Sequence, residues 1–302
     1  MKLFKSILIL TCLAFSSCSL FEKPVTTQIN FANNCSSQQQ EEAHLVIIDR
    51  VKMVYGVEDF TNPENGSFSI NHYLKEDVEI LPDLLTRKGE VAIYESYLAS
   101  EIKDMMLNGS NLKPLKDSIL YDLITTHRHT YTNNNLSITE AYKKDIKFID
   151  SLLYCEEIKQ LFPEDISFLW MKTDDFFSEN IYSLIAIKKN HFIPLNKKTV
   201  KEAKASISQY TAGLELFFEF YPDYGQKWAA FTKNNIGKYL PIVCDGNVLS
   251  APMVNNEITG GKSVITGKLT DEEIYTILGF IKSTALNCLA YISDSKDIEK
   301  QN

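Results

Sequence analysis

An α+β fold, with an antiparallel or mixed sheet flanked by helices, is what this 302-residue sequence predicts. Three observations carry it. Asp245-Gly246 is a two-residue hairpin signal, since both positions need φ > 0, and it joins the apolar runs Tyr239–Cys244 and Asn247–Ala251. Leu214–Phe220 is apolar on both alternating faces, as a central strand is. Thr270-Asp271-Glu272-Glu273 is a capping box, and the helix it opens lines up Ile274, Ile277, Leu278 and Ile281.

In chain order, residues 1–17 read as a targeting segment rather than as part of the fold: Lys2 and Lys5, then apolar Ile7–Phe15, then Ser16-Ser17 before Cys18. The apolar run is too short to span a bilayer, which takes ~20 residues. The segment resembles a bacterial lipobox, with cleavage before Cys18 and acylation of that residue; the alternative is an ordinary signal peptide cut near Ser17. Residues 18–40 are polar and expected to be a tether, although Val25–Phe31 could instead be a first strand. Residues 41–97 read as helix, strand, helix, strand. Leu45, Ile48, Val51 and Tyr55 share a face of the first helix and Gly56 can cap it; Ser67–Tyr73, Val78–Lys88 and Glu90–Tyr97 follow.

Residues 98–165 are expected to be a helical insertion with helices over Ala99–Leu107, Pro114–His127 and Ser137–Tyr154, the last opened by the capping box Ser137-Ile138-Thr139-Glu140. Within 166–292, Ile166–Lys172 and Ile181–Lys188 read as strands joined through an Asp174-Asp175 turn. Thr199-Val200-Lys201-Glu202 is a further capping box, expected to open a helix with Val200, Ala203 and Ile207 inward. Trp228 and Phe231 lie on one face of a short helix stopped at Gly237; Ser263–Thr266 is a short strand; Leu289–Ile292 is a candidate return strand. Residues 293–302 form a charged tail.

The formal net charge is −8, and loss of Lys2 and Lys5 with the signal takes it to −10. That opposes nonspecific nucleic-acid binding, which needs a cationic surface. Beyond the signal, Cys35, Cys155, Cys244 and Cys288 remain, none in a C-x-x-C pair; an oxidising compartment permits disulfides, and three full pairings stay open beside the alternative of unpaired small hydrophobes.

The run from Trp228 to Glu273 is similar to the head part of the first periplasmic domain of SecD and SecDF, components that assist protein export through the Sec translocon. The matching residues are Phe231-Thr232…Gly237-Lys238, Ile242-Val243-Cys244-Asp245-Gly246-Asn247-Val248-Leu249-Ser250-Ala251-Pro252, Ile258-Thr259-Gly260-Gly261…Ile265-Thr266-Gly267 and Thr270–Glu273. Tyr55-Gly56-Val57-Glu58 and Lys88-Gly89-Glu90-Val91-Ala92-Ile93 resemble the base part of that domain, and Ser283–Asn287 its R-x-G-A-L-P, with Asn287 in place of the proline. The resemblance implies a ferredoxin-like α+β base beside the head.

It implies a non-enzymatic function: binding exported polypeptide or a Sec partner at the periplasmic face of a bacterial envelope, on a lipid tether at Cys18. A structural or interaction lipoprotein unrelated to export is the rival reading, and an envelope hydrolase with a dispersed site is a third. No catalytic residues, cofactor or metal are expected. Asn256–Ser263 brushes the P-loop pattern, but Ser263 opens a strand and not a helix, so the phosphate cradle is missing and Gly260-Gly261 reads as a turn. His127-Arg128-His129 lacks a placed carboxylate for a metal site; Asp174-Asp175 with Glu179 reads as a solvent-facing turn; Ser250 has no local base. Leu216–Tyr221 is the densest aromatic cluster, read as core packing, with an apolar groove for extended chains as the functional alternative.

Overall fold

The computed structural model describes residues 24–55, 59–73, 81–109, 112, 118, 120–122, 135–173, 180–208, 213–266 and 269–297. In chain order the elements are β1 (Pro24–Phe31), α1 (Ser37–Tyr55), β2 (Asp59–Phe60), β3 (Ser67–Tyr73), α2 (Leu81–Thr86), β4 (Val91–Ser96), α3 (Ala99–Asn108), β5 (Thr139–Tyr142), α4 (Ile146–Leu153) and α5 (Glu156–Lys159). There follow β6 (Ile166–Lys172), β7 (Ile181–Pro194), β8 (Val200–Ile207), β9 (Leu214–Phe220), α6 (Pro222–Asn234), β10 (Ile242–Cys244), β11 (Asn247–Ser250), β12 (Lys262–Ile265), α7 (Asp271–Ile281) and β13 (Ala290–Asp297). The fold is α+β.

Three sheets divide these strands. The first has the order β13-β1-β3-β2, antiparallel throughout. Together with α1 and α2 this is a ferredoxin-like β-α-β-β-α-β arrangement whose last strand arrives from the far end of the chain. Ile29, Phe31, Phe68 and Ile70 point from the sheet to Ala43, Ile47 and Val51 of α1. The disulfide Cys35–Cys288 ties the start of α1 to the approach to β13.

The second sheet runs β4-β10-β11-β6-β7-β5, and a further β4–β7 pairing closes five of its strands into a ring. Long β7 makes this possible: one edge carries β6, while the other carries β5 over its first half and β4 over its second. Ile185, Ile187, Val243 and Val248 cluster with Leu136 as one core of this sheet. The third sheet, β12-β9-β8, is antiparallel, and its buried Leu216, Phe218 and Phe220 pack with α6, α7, β4 and β10 in one core.

Several expectations are corrected. The tether expected over 18–40 holds neither for β1, the Val25–Phe31 alternative extended by one residue, nor for the start of α1 at Ser37. The tail expected from 293 is part of β13 as far as Asp297. The base half, read as 41–97, needs β1 and β13 from outside that range. On α1 the inward face is Ala43, Ile47, Arg50 and Val51, whereas Leu45 is 58% exposed.

The boxes at Thr199 and Ser137 open strands, not helices. Thr199 Oγ1 donates to the Pro194 carbonyl and accepts from the Asn196 amide, capping a turn instead. β8 then covers the edge of β9, and β5 covers the edge of β7, so neighbouring strands needing partners override a local helix signal. The insertion at 98–165 is therefore helical in α3, α4 and α5 but contributes a strand, β5, to the second sheet.

Candidate binding pocket

β9 and β12 on one side, and the β4–β10 pair on the other, leave an apolar pocket of about 320 Å³ between them. Phe218 and Ile265 come from the three-stranded sheet, Ile93 and Ile242 from the paired strands β4 and β10, and Val254 and Ile258 from the loop after β11. Trp228 of α6 closes one wall, its ring 5.8 Å from Phe220 and 6.2 Å from Phe231 between centroids. The spacing of Trp228 and Phe231, read as one helix face, holds in the structure.

The loop from 251 to 261 is held in place by few but specific bonds. Thr232 Oγ1 donates to the Trp228 carbonyl and accepts from the Ile258 amide at 3.0 Å. The Gly237 amide donates to the Val254 carbonyl, and the Val254 amide to that of Lys238. Gly237 has the left-handed φ expected of it, +80°, but α6 ends earlier, at Asn234 with Asn235 as its cap. Gly261 has φ +66°, and a Cβ there would lie 3.3 Å from the Cα of Gly225 in α6. The Gly260-Gly261 turn thus exists for conformation and close packing, and Ser263 lies in β12 as the sequence implied.

One polar atom in this apolar wall is unpaired. Trp228 is 4% exposed, and its Nε1 has no hydrogen-bond partner among the described residues. A buried N–H donor without an acceptor costs about 1–3 kcal/mol. Around the mouth, Met253 and Val264 are 47% and 42% exposed, and β12 pairs on one side only, with β9. An unpaired strand edge beside apolar pockets is the geometry that accepts an added extended chain.

Other residues singled out in the sequence fall elsewhere. Asp245 and Gly246 turn with φ +49° and +80°, as the hairpin demands. The Asp245 carboxylate accepts from the amides of Gly89 and Glu90 and from Arg87 Nε, far from any catalytic partner. Burial pushes the neighbouring Cys244 thiol up to about 12, which disfavours its thiolate. Cys155 is also free. Ser250 Oγ is buried with no partner among the described residues. Cys18, His127, His129, Asp174, Asp175 and Glu179 lie outside the described residues; among those that are described, no group of three or more His, Cys, Asp or Glu could hold a metal. The Trp228 donor could not be found from sequence: the tryptophan is plain there, but not that its nitrogen is left unpaired.

Apart from Ile93, the pocket's walls come from a segment with known relatives. Residues 179–288 match the SecDF P1 head subdomain. The chain is also similar to protein translocase subunit SecD of Thermobaculum terrenum, 32% identical over 101 residues that make up 33% of this chain and 19% of that one. With SecD of Rhodothermus marinus it shares 28% identity over 145 residues, 47% of this chain and 23% of the relative. The similarity thus spans a quarter or less of those curated proteins. Among solved structures, SecDF in its super-membrane-facing form aligns over 91% of this chain and 30% of its own, at 17% identity and a TM-score of 0.48. Among the described residues no helix is long and apolar enough to cross a membrane.

Proposed function

We propose that this chain is a binding module without catalysis of its own, and that its pocket receives extended apolar stretches of exported polypeptide, with a Sec translocon component as the other candidate partner. The observation that carries the reading is the mainly apolar pocket beside the one-sided edge of β12. The backbone of a bound chain adds to that edge, and its apolar side chains fill the space beside Phe218, Ile242 and Ile265. The match of residues 179–288 to a subdomain of a protein-export component supports the link to export.

In this reading 166–292 is the binding domain, 98–165 an insertion against it, and Cys18 an acylated anchor that holds the module on a bacterial envelope membrane, facing the periplasm. Two or three acyl chains anchor firmly where one does so marginally, at ~0.8 kcal/mol per buried CH₂. The Cys35–Cys288 disulfide fits such an oxidising compartment.

Photocrosslinkers placed at Met253 and Val264 in cells are expected to capture exported polypeptides or Sec components. Capture of neither overturns the export reading and leaves an interaction lipoprotein of another kind. Cys18→Ala is expected to abolish labelling by a palmitate analogue; labelling that persists overturns the anchor.

A further inference from the structure

The chain leaves the ferredoxin-like unit once, after α2, and returns to it once, before β13. Arg50 of α1 sits between these two crossings with no exposed surface. Its Nε donates to Ser283 Oγ at 3.1 Å; Nη1 donates to the carbonyls of Leu84 and Arg87 at 3.1 and 2.8 Å; Nη2 donates to those of Lys88 and Thr284 at 2.7 and 3.0 Å. All five guanidinium N–H groups are therefore used, on residues 84–88 of the outgoing crossing and 283–284 of the returning one. The guanidinium carbon also lies 4.6 Å from the centre of the Phe280 ring, at the end of α7.

Around it the packing leaves no slack. Gly89 has φ +72°, and a Cβ there would fall 2.3 Å from Arg50 Nη2 and 2.7 Å from Phe280 Cδ1. The crossings are bonded to each other, Leu286 N to the Lys88 carbonyl at 2.8 Å. Leu84 of α2 faces the core of the three-stranded sheet while its neighbour Leu85 faces the ferredoxin-like core, so α2 is the plate between the two bodies and Arg50 pins its end.

We infer that Arg50 is a latch that fixes the orientation of the ferredoxin-like unit against the rest of the chain, by holding both crossings from a helix belonging to that unit alone. Each body has its own apolar core, and the buried cation adds what neither core supplies: it holds two separate stretches of chain in one register. Four backbone carbonyls from two segments, satisfied by one rigid fork, is a job that lysine with its single ammonium cannot reproduce. The latch thus acts on the angle between bodies and not on their interiors.

The test measures that angle on the full chain. Spin labels on cysteines introduced at exposed Glu64 and Lys204, in a Cys155→Ser background, report the distance between the ferredoxin-like unit and the three-stranded sheet by pulsed electron resonance. Hydrogen exchange of β1, β3, β8 and β9 amides reports the interiors. Arg50→Met and Arg50→Lys are expected to broaden and shift the distance distribution, while interior protection falls equally in all four strands and by no more than the global loss of stability. Ser283→Ala, which removes one acceptor, is expected to give the same change in smaller degree, and it decides the matter should either Arg50 variant lose its fold. A wild-type mean and width in folded Arg50→Lys, or in Ser283→Ala where the Arg50 variants do not fold, overturns the latch.

Discussion

The junction and the pocket each bury one long polar side chain, and they treat it in opposite ways. Arg50 has every donor paired and no exposed surface. Trp228 is nearly as buried, and its donor has no partner among the described residues. Both environments are made by the same core: Phe280 beneath Arg50 and Phe218 beside Trp228 belong to one cluster. Low dielectric strengthens a satisfied network and penalises an unsatisfied group. The contrast therefore separates a junction in which every donor is used from a pocket wall that carries an uncompensated one.

Breaking the junction should cost most. Arg50→Met takes its donors from four carbonyls and Ser283 Oγ, of which the Lys88 carbonyl keeps the Leu286 amide, and is expected to lower unfolding free energy by about 3–5 kcal/mol in urea melts. A loss under about 1 kcal/mol would mean that water or neighbouring side chains replace those bonds, and the contrast with Trp228 would fail. Next comes the covalent tie between α1 and β13. Cys35→Ser with Cys288→Ser is expected to cost about 2–4 kcal/mol, read the same way, because the reduced chain regains the freedom of a very long loop.

Trp228→Phe tests the pocket wall, and its signature is a split between stability and binding. Removing the buried N–H takes away its cost but leaves a cavity in the wall, and the two are expected to offset to within about 1 kcal/mol in the free protein. The same change alters the pocket wall and is expected to weaken binding of an apolar extended peptide roughly three- to tenfold. Equal affinities in the two proteins would show that Trp228 is not part of the site.

The smallest effect comes from His44, another buried group with a nitrogen, Nε2, unpaired among the described residues, but one packed edge-on against Phe68 in the ferredoxin-like core and not in the walls of the Trp228 pocket. Burial lowers its pKa below 6.5, despite a bond to the Thr61 backbone and the charge of Glu41, which act the other way. The unfolded chain then takes the proton first. The contribution is neutral above the unfolded value and becomes a loss of stability as pH falls below about 6.5 towards the folded value. His44→Gln is expected to flatten that part of the pH profile of urea midpoints between pH 7.5 and 5.5. Parallel profiles would assign the acid sensitivity to other groups.

How much of this could be read from the chain depended on the range of the forces involved. The Asp245-Gly246 hairpin and the Thr270 capping box are decided within a few residues, and each stands in the structure as expected; Gly237 keeps its left-handed φ, though α6 stops at Asn234. The Thr199 and Ser137 boxes carry the same local signal as Thr270, yet β9 and β7 offered open edges and took those residues as strands. Thr270 kept its helix: its side chain accepts from the Glu273 amide, and α7 buries Ile274, Ile277, Leu278 and Ile281. Arg50 could not be read from sequence because its partners are scattered, 34–38 residues away at Leu84, Arg87 and Lys88 and more than two hundred away at Ser283 and Thr284; β13 was legible in part, as the return strand read over Leu289–Ile292, which runs on to Asp297. The pocket was half legible. Its aromatic cluster at 216–221 was plain, but in the alternation Leu216, Phe218 and Phe220 go inward, so packing and groove turned out to be two faces of one wall.

The placement of β13 governs the order in which the molecule can be assembled. β1 is an interior strand of its sheet, flanked by β3 and β13. A ribosome delivers β3 soon after β1, but β13 only after both other sheets have been made. Until residue 290 emerges, β1 shows one bare edge and the Ile29–Phe31 face lacks Leu286, Cys288 and Ala290 above it. The middle of the chain, by contrast, holds all its strand partners within residues 91–265. Synthesis thus completes the body that carries the pocket before the unit that flanks it, and oxidation of Cys35 with Cys288 comes last, sealing a chain whose two ends have only then met.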